Sequence, residues 1–286
     1  MSTTMSPRLG SRPQCLEGLP AFPAVARKLM DLVSREDCSI ADVSRLIRTD
    51  ASFTAEVMRL ANSAMFGFRH EVVSILHAIS VLGMDRLKGL VLTVGMRDFL
   101  AGARHMEMIR RCWRHNLACA LTCEWLAQAW WLDKSVAYTA GLLHDLGRLA
   151  LMMLHPTEYQ NLAAMAQQTD MALAECEKRT FGIDSCEAGM WLAEDWRLPP
   201  ALTDVICYHG KTIPNPDLGL PSLMSLSCLS ADSMGFPVIG QAPPWDLEIL
   251  RIAIPEHLRE RVEPRVVELP SVVPFKINVF ECEFLH

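Results

Sequence analysis

The stretch AGLLHDLGRL, residues 140–149, decides how this chain is read. A histidine and an aspartate, His144 and Asp145, stand side by side within a strongly apolar segment. Charge taken out of water is costly unless it is paired or bound to a metal. Two readings follow. Either the doublet belongs to a metal site, or it is a polar pair that fixes the register of packed helices.

Working outward, the apolar period around the doublet is helical, and residues 136–154 are expected to form a helix. The segment Ile109–Trp131 before it reads as another long helix, with His115 in its first half. Residues 157–179 and 185–194 are again helical in pattern, and LPPAL at 198–202 opens a further helix, with proline tolerated in a first turn. Upstream, Val25, Leu29, Leu32 and Val33 form one apolar stripe. Ser39 with Asp42 is close to a capping box, and Asp50 can cap the next segment, in which Phe53, Val57 and Leu60 face inward. Gly83 separates two more helices by permitting a sharp turn.

Prolines at 214, 216, 221, 237, 243 and 244 change the texture after about Gly210, leaving one helical island at 220–234. The tail RVVELPSVVPFKINVF, residues 265–280, has short runs of Val, Ile and Phe that predict one or two strands or an extended arm.

Composition narrows the function. Apolar residues make up 50% of the 286-residue chain, which excludes a disordered chain. The net charge of -6 disfavours a general nucleic-acid binder, which needs a basic face. The helix pair at 39–62 has the outline of a helix-turn-helix, but its second helix lacks a run of basic residues. MSTTMSPRLGSRPQ lacks the apolar centre of a signal peptide, and no charge-free run approaches the roughly 18–20 residues of a membrane span. A cytoplasmic protein without a membrane partner is expected. Ten cysteines include no CxxC pair; Cys112, Cys119 and Cys123 fall on one helical face and read as reduced core thiols.

The residues able to carry chemistry are His115, the pair His144-Asp145, Arg148 one turn on, His209 and Asp232. Imidazole and carboxylate donors suit zinc, iron, manganese or magnesium, depending on geometry. An antiparallel helix pair would bring His115 to the doublet, with Asp232 arriving from a later helix. Equally, His115 could donate to Asp145 as a satisfied core pair with no ion.

Five blocks extend the pattern across the chain: LPAFPAVARKLMDLV (19–33), the helix pair ending in MRLANSAMFG (58–67), SILHAISVLGMDRLKGLVL (74–92), AYTAGLLHDLGRLAL (137–151) and FGIDSCEAGMWLAEDWRLPPALTDVICYHG (181–210). In this order they resemble the HDOD family, the HD-related output domains of the HD superfamily, from about Leu19 to about Asp232.

The resemblance implies a compact all-α fold. It places a leader at 1–18 and an HDOD domain at 19–235. Within that domain an N-terminal helical subdomain (19–105) packs on an HD-like subdomain (106–235), and an irregular or strand-like extension follows at 236–286. The resemblance also puts His115, His144, Asp145 and Asp232 at the positions of the HD metal quartet, where one divalent ion would bind. Arg148 would contact a phosphate, although related phosphodiesterases usually carry lysine there.

Two further departures bear on the metal. Ser185 stands where relatives often have histidine, and His209-Gly210 where they have a His-His pair, so a binuclear site is not expected. Family members are regarded as signalling modules, with links to cyclic di-GMP pathways, and most have no demonstrated hydrolysis. The expected function is a non-catalytic regulatory module acting through a signalling partner or a bound nucleotide. The alternative is a metal-dependent phosphohydrolase in which the quartet's ion activates a water.

Overall fold

The computed structural model describes residues 12–33, 39–62, 71–103, 106–169, 171–196, 198–208 and 219–284. His105, His209, Gly210 and most of the leader lie outside them. Among the described residues all regular elements are helical.

Helices α1 (Ala24–Val33), α2 (Ile40–Ile47), α3 (Ala51–Ala61), α4 (Ile75–Leu82) and α5 (Met84–Phe99) form the N-terminal part. Their starts follow the expected chemistry. Ser39 accepts from the Asp42 N–H, Asp50 from the Phe53 N–H and Ser74 from the His77 N–H, so each satisfies a donor that has no partner within its helix. Gly83 adopts φ 80° between α4 and α5, a conformation that costs glycine little and other residues more. Val43, Ile47, Phe53, Val57, Ile75, Ile79, Leu87 and Val91 are buried in the shared core.

The second part is built around α6 (Glu107–Ala127). Packed on it are α7 (Lys134–Leu143), α8 (Leu146–Leu154), α13 (Leu220–Ser233) and α15 (Arg259–Phe284). The remaining helices are α9 (Pro156–Gln168), α10 (Leu173–Phe181), α11 (Ser185–Asp195), α12 (Pro200–Tyr208) and the short α14 (Leu247–Ile252). A glycine marks each of two tight crossings. At Gly141 of α7, a Cβ would stand 2.5 Å from the Ala120 Cα of α6. Gly147 of α8 lies against the backbone of Ser185 and Gly189 in α11. Polar and aromatic contacts join the two parts: the Thr93 and Tyr138 hydroxyls lie 2.8 Å apart, and Phe22 stacks on Trp196 with centroids 4.2 Å apart.

Three segments differ from the sequence reading. The helix expected over 136–154 is broken at the doublet itself: His144 ends α7, and Asp145, at φ -103° and ψ 23°, begins α8. The helix expected over 157–179 divides into α9 and α10. The tail expected as strand or extended arm is helical throughout Arg259–Phe284.

The reason for the last difference lies in its spacing. Val262, Val266, Leu269, Val273 and Ile277 recur at three- and four-residue steps and are fully buried. Pro264 and Pro270 are exposed and Pro274 partly so, all off the buried stripe, so no proline ring has to be accommodated in the core. Tertiary burial of the stripe thus outweighs the local β preference and the prolines. The helix is tied to α6 by a reciprocal pair, the Trp125 indole donating to the Arg265 carbonyl at 3.2 Å and Arg265 to the Trp125 carbonyl at 3.0 Å, and by the Arg114–Glu281 ion pair at 2.9 Å.

Candidate metal centre

His115 and Cys119 are one turn apart on α6 and therefore share a face. The close approach at Gly141 brings the end of α7 against that face, so His144 meets them there. Cys228 arrives from α13. The Cys119 sulfur lies 3.4 Å from His115 Nε2 and 4.0 Å from the Cys228 sulfur, which is 3.7 Å from His144 Nε2. The four donor atoms all lie within 4.8 Å of one another. His115, Cys119 and His144 are buried, and Cys228 is partly exposed.

Both imidazoles are oriented by the opposite ring nitrogen. His115 Nδ1 is 2.9 Å from the Phe236 carbonyl and 3.2 Å from Asp232 Oδ1. His144 Nδ1 is 2.7 Å from the Gly141 carbonyl. All three of these partners are acceptors, so each ring carries a proton on Nδ1, and Nε2 faces the sulfurs with a lone pair available once that nitrogen is deprotonated. Fixing the far nitrogen in this way is how proteins orient metal-binding histidines.

The electrostatics of the cluster centre on shared protons. Burial would lower the His115 pKa, but hydrogen bonding by Asp232 and Cys228 outweighs it and pushes the value up to about 10. The Cys119 thiol is held well above its usual range, first by burial and then by its bond to Cys228. Cys228 is held well below its usual range, first by accepting from Cys119 and, against the cost of burial, by His144 beside it. The two sulfurs are thus pushed in opposite directions, Cys119 towards the thiol and Cys228 towards the thiolate.

Asp145 belongs to a different network. Its Oδ2 accepts from Arg148 Nη1 at 2.6 Å, and the buried Cys112 thiol is 3.9 Å away. Burial and the Asp145 carboxylate raise the Cys112 thiol, which keeps it protonated. Arg148 Nε also lies 3.8 Å from Glu177 Oε1, whose carboxylate is buried in α10. Glu177 in turn accepts from the Tyr159 hydroxyl and, at 2.8 Å, from the Ser185 N–H that opens α11. The guanidinium expected to contact a phosphate is held between two carboxylates.

The four residues expected as a quartet are thus divided. His115 and His144 converge, Asp232 binds the outer nitrogen of His115, and Asp145 pairs with Arg148. The residues do not fit the implied ion as a His-His-Asp-Asp set, because the inner positions beside the imidazoles are thiols. Cys119 and Cys228 are the residues missed by reading the cysteines as core fillers. Their signal was one-turn spacing: His115 with Cys119, and Cys228 with Asp232, each share a helix face. Glu177 and Tyr159 had no comparable mark.

Comparison with known proteins bears on the fold. A solved HDOD domain protein of unknown function from Geobacter sulfurreducens aligns with a TM-score of 0.77 at 22% identity, covering 94% of each chain. A structure named "Putative phosphohydrolase" from Shewanella amazonensis SB2B aligns with a TM-score of 0.73 at 23% identity, covering 92% of this chain and 97% of the other. One named "Putative signal transduction protein" from Marinobacter aquaeolei VT8 gives 0.70 at 20% identity, covering 93% of this chain and 60% of the other. An uncharacterized protein from Treponema pallidum (strain Nichols) is 22% identical over 196 residues, 68% of this chain; the chain spans only 38% of that relative's length. The family profile of the HDOD domain matches residues 19–212, and the chain belongs to the HDOD family.

Proposed function

We propose that this chain is a regulatory module of bacterial signal transduction that works without hydrolysing a phosphate ester. It would act through a signalling protein partner or a bound nucleotide, cyclic dinucleotides included, within the cytoplasm. The observation that carries this reading is the pair between Asp145 and Arg148 at 2.6 Å. A metal-dependent hydrolase needs the carboxylate as ligand and an open coordination position for water. Here the carboxylate neutralises the cation that would otherwise meet the phosphate. A relative named for signal transduction and another named for phosphohydrolysis share the fold, so the fold serves both readings and the site must decide. Among the described residues no helix is long and apolar enough to cross a membrane.

The test is turnover. Purified protein supplemented in turn with zinc, manganese and magnesium is incubated with bis(4-nitrophenyl) phosphate and with cyclic di-GMP. No product above the protein-free rate is expected. Hydrolysis that disappears in Asp145→Ala would overturn the reading in favour of the phosphohydrolase.

A further inference from the structure

We propose that His115 Nε2, Cys119 Sγ, His144 Nε2 and Cys228 Sγ hold one zinc ion in a closed tetrahedral site. This site differs in donors and in chemistry from the quartet that the HD pattern implies.

Geometry is the first argument. With Zn–S near 2.3 Å and Zn–N near 2.0–2.1 Å, a tetrahedron has edges of roughly 3.6 Å between N and S and roughly 3.8 Å between two sulfurs. The observed separations are 3.4 Å and 3.7 Å for two of the four N–S edges and 4.0 Å for the S–S edge, and the remaining three edges lie within 4.8 Å. Adjustments of a few tenths of an ångström bring those three edges to bonding geometry, and the other three have only to contract within the same cluster.

Orientation is the second. Each imidazole is already turned to present Nε2, His115 by Phe236 and Asp232, His144 by Gly141. Asp232 thereby acquires a role as the carboxylate behind a ligating histidine, which orients the ring and raises its basicity.

Donor chemistry is the third. Two thiolates and two imidazoles select a borderline-soft ion such as zinc over magnesium or manganese, which prefer oxygen. Four protein ligands leave no position for water, as in structural rather than catalytic zinc sites. The three helices α6, α7 and α13 would be cross-linked at their buried junction. The partly exposed Cys228 marks the side from which the ion enters.

The test uses the full chain, expressed and purified under reducing conditions without chelator. Elemental analysis is expected to give about one zinc per chain. That content should fall at least fivefold in Cys119→Ser and in Cys228→Ser, and should be retained in Asp145→Ala. Because a cysteine variant could lose zinc merely by unfolding, the unmutated protein supplies a second readout. After zinc is removed and replaced by cobalt(II), an N2S2 tetrahedral site shows intense visible d–d bands and a thiolate-to-cobalt charge-transfer band in the near ultraviolet. Weak bands without thiolate charge transfer, zinc retained in folded Cys119→Ser/Cys228→Ser, or no metal in the native protein would each overturn the assignment. The outcomes separate from those of the regulatory reading: hydrolysis with this zinc in place would sink that reading alone, and absence of metal without hydrolysis would sink this one alone.

Discussion

Replacing Gly141 by alanine puts the central crossing of the fold under direct test. A Cβ at this position would stand 2.5 Å from Ala120 Cα and Ala120 N, and 2.7 Å from the Cys119 carbonyl carbon. Ordinary contact begins near 3.4 Å, so α7 must move away from α6 by about 0.9 Å. The obstacles are backbone atoms of a buried helix and cannot rotate aside. Overpacking costs about 1–3 kcal/mol, and against backbone that cannot yield the upper part applies, about 2–3 kcal/mol. The intrinsic preference of a helix for alanine over glycine returns about 1 kcal/mol. The net expectation is a loss of about 1–2 kcal/mol, or roughly 2–8 °C in Tm at about 2–4 °C per kcal/mol for a chain of this size.

The same displacement carries His144 away from Cys119, and metal-ligand distances tolerate only about 0.2 Å. Thermal unfolding followed by circular dichroism gives the first quantity, and zinc per chain gives the second. Gly102→Ala is the control, because a Cβ there meets nothing within 4 Å. A Gly141→Ala protein as stable as the unmutated chain would refute the close crossing and the positioning argument built on it.

The remaining predictions concern the polar networks. Arg148→Met leaves the Asp145 and Glu177 carboxylates buried without their cation, and removal of one partner from such a group costs about 3–5 kcal/mol; urea unfolding should show a large drop in midpoint. Tyr159→Phe removes the hydroxyl that donates to Glu177, a hydrogen bond to a charged group contributing about 1.5–3 kcal/mol, and the same assay should register a loss in that range. In the N-terminal part, burial works against the Glu56 carboxylate, but hydrogen bonds from Arg97 and Arg59 outweigh it and hold its pKa below the usual carboxylate range. A depressed folded pKa means stabilisation that is complete above the unfolded value of about 4.3 and lost as pH falls through the folded one. The stability gap between the unmutated protein and Glu56→Gln, read from urea midpoints, should therefore be constant near neutrality and close below about pH 4.

Much of the scaffold was legible because local signals agree with burial. Ser39 and Asp50 cap the helices they precede, and Gly83 supplies the positive φ its turn requires. The tail misled for a physical reason: Val, Ile and Phe with prolines satisfy a strand pattern locally, while the stripe from Val262 to Ile277 is decided by packing on α6. His115 and His144 could be singled out as polar residues in apolar helices. Where their neighbours point could not be read, because Asp145 sits at a helix break whose backbone angles aim its side chain at Arg148. Cys119 and Cys228 were hidden by their chemistry, since a buried thiol is equally at home as an apolar filler.

The placement of α13 and α15 against α6 also sets an order of events during synthesis. Cys228 follows Cys119 by 109 positions, and the α15 segment that covers Trp125 follows by 140. At about 5–20 residues per second, the ribosome takes roughly 5–20 s to release Cys228 after Cys119. Throughout that interval the face of α6 bearing His115 and Cys119 can be met by α7 but lacks α13 and α15. The side of that surface that α13 and α15 cover thus stays open until the segment from Leu220 onward closes it. Termination between α7 and α13 would yield a fragment in which α7 alone covers that face.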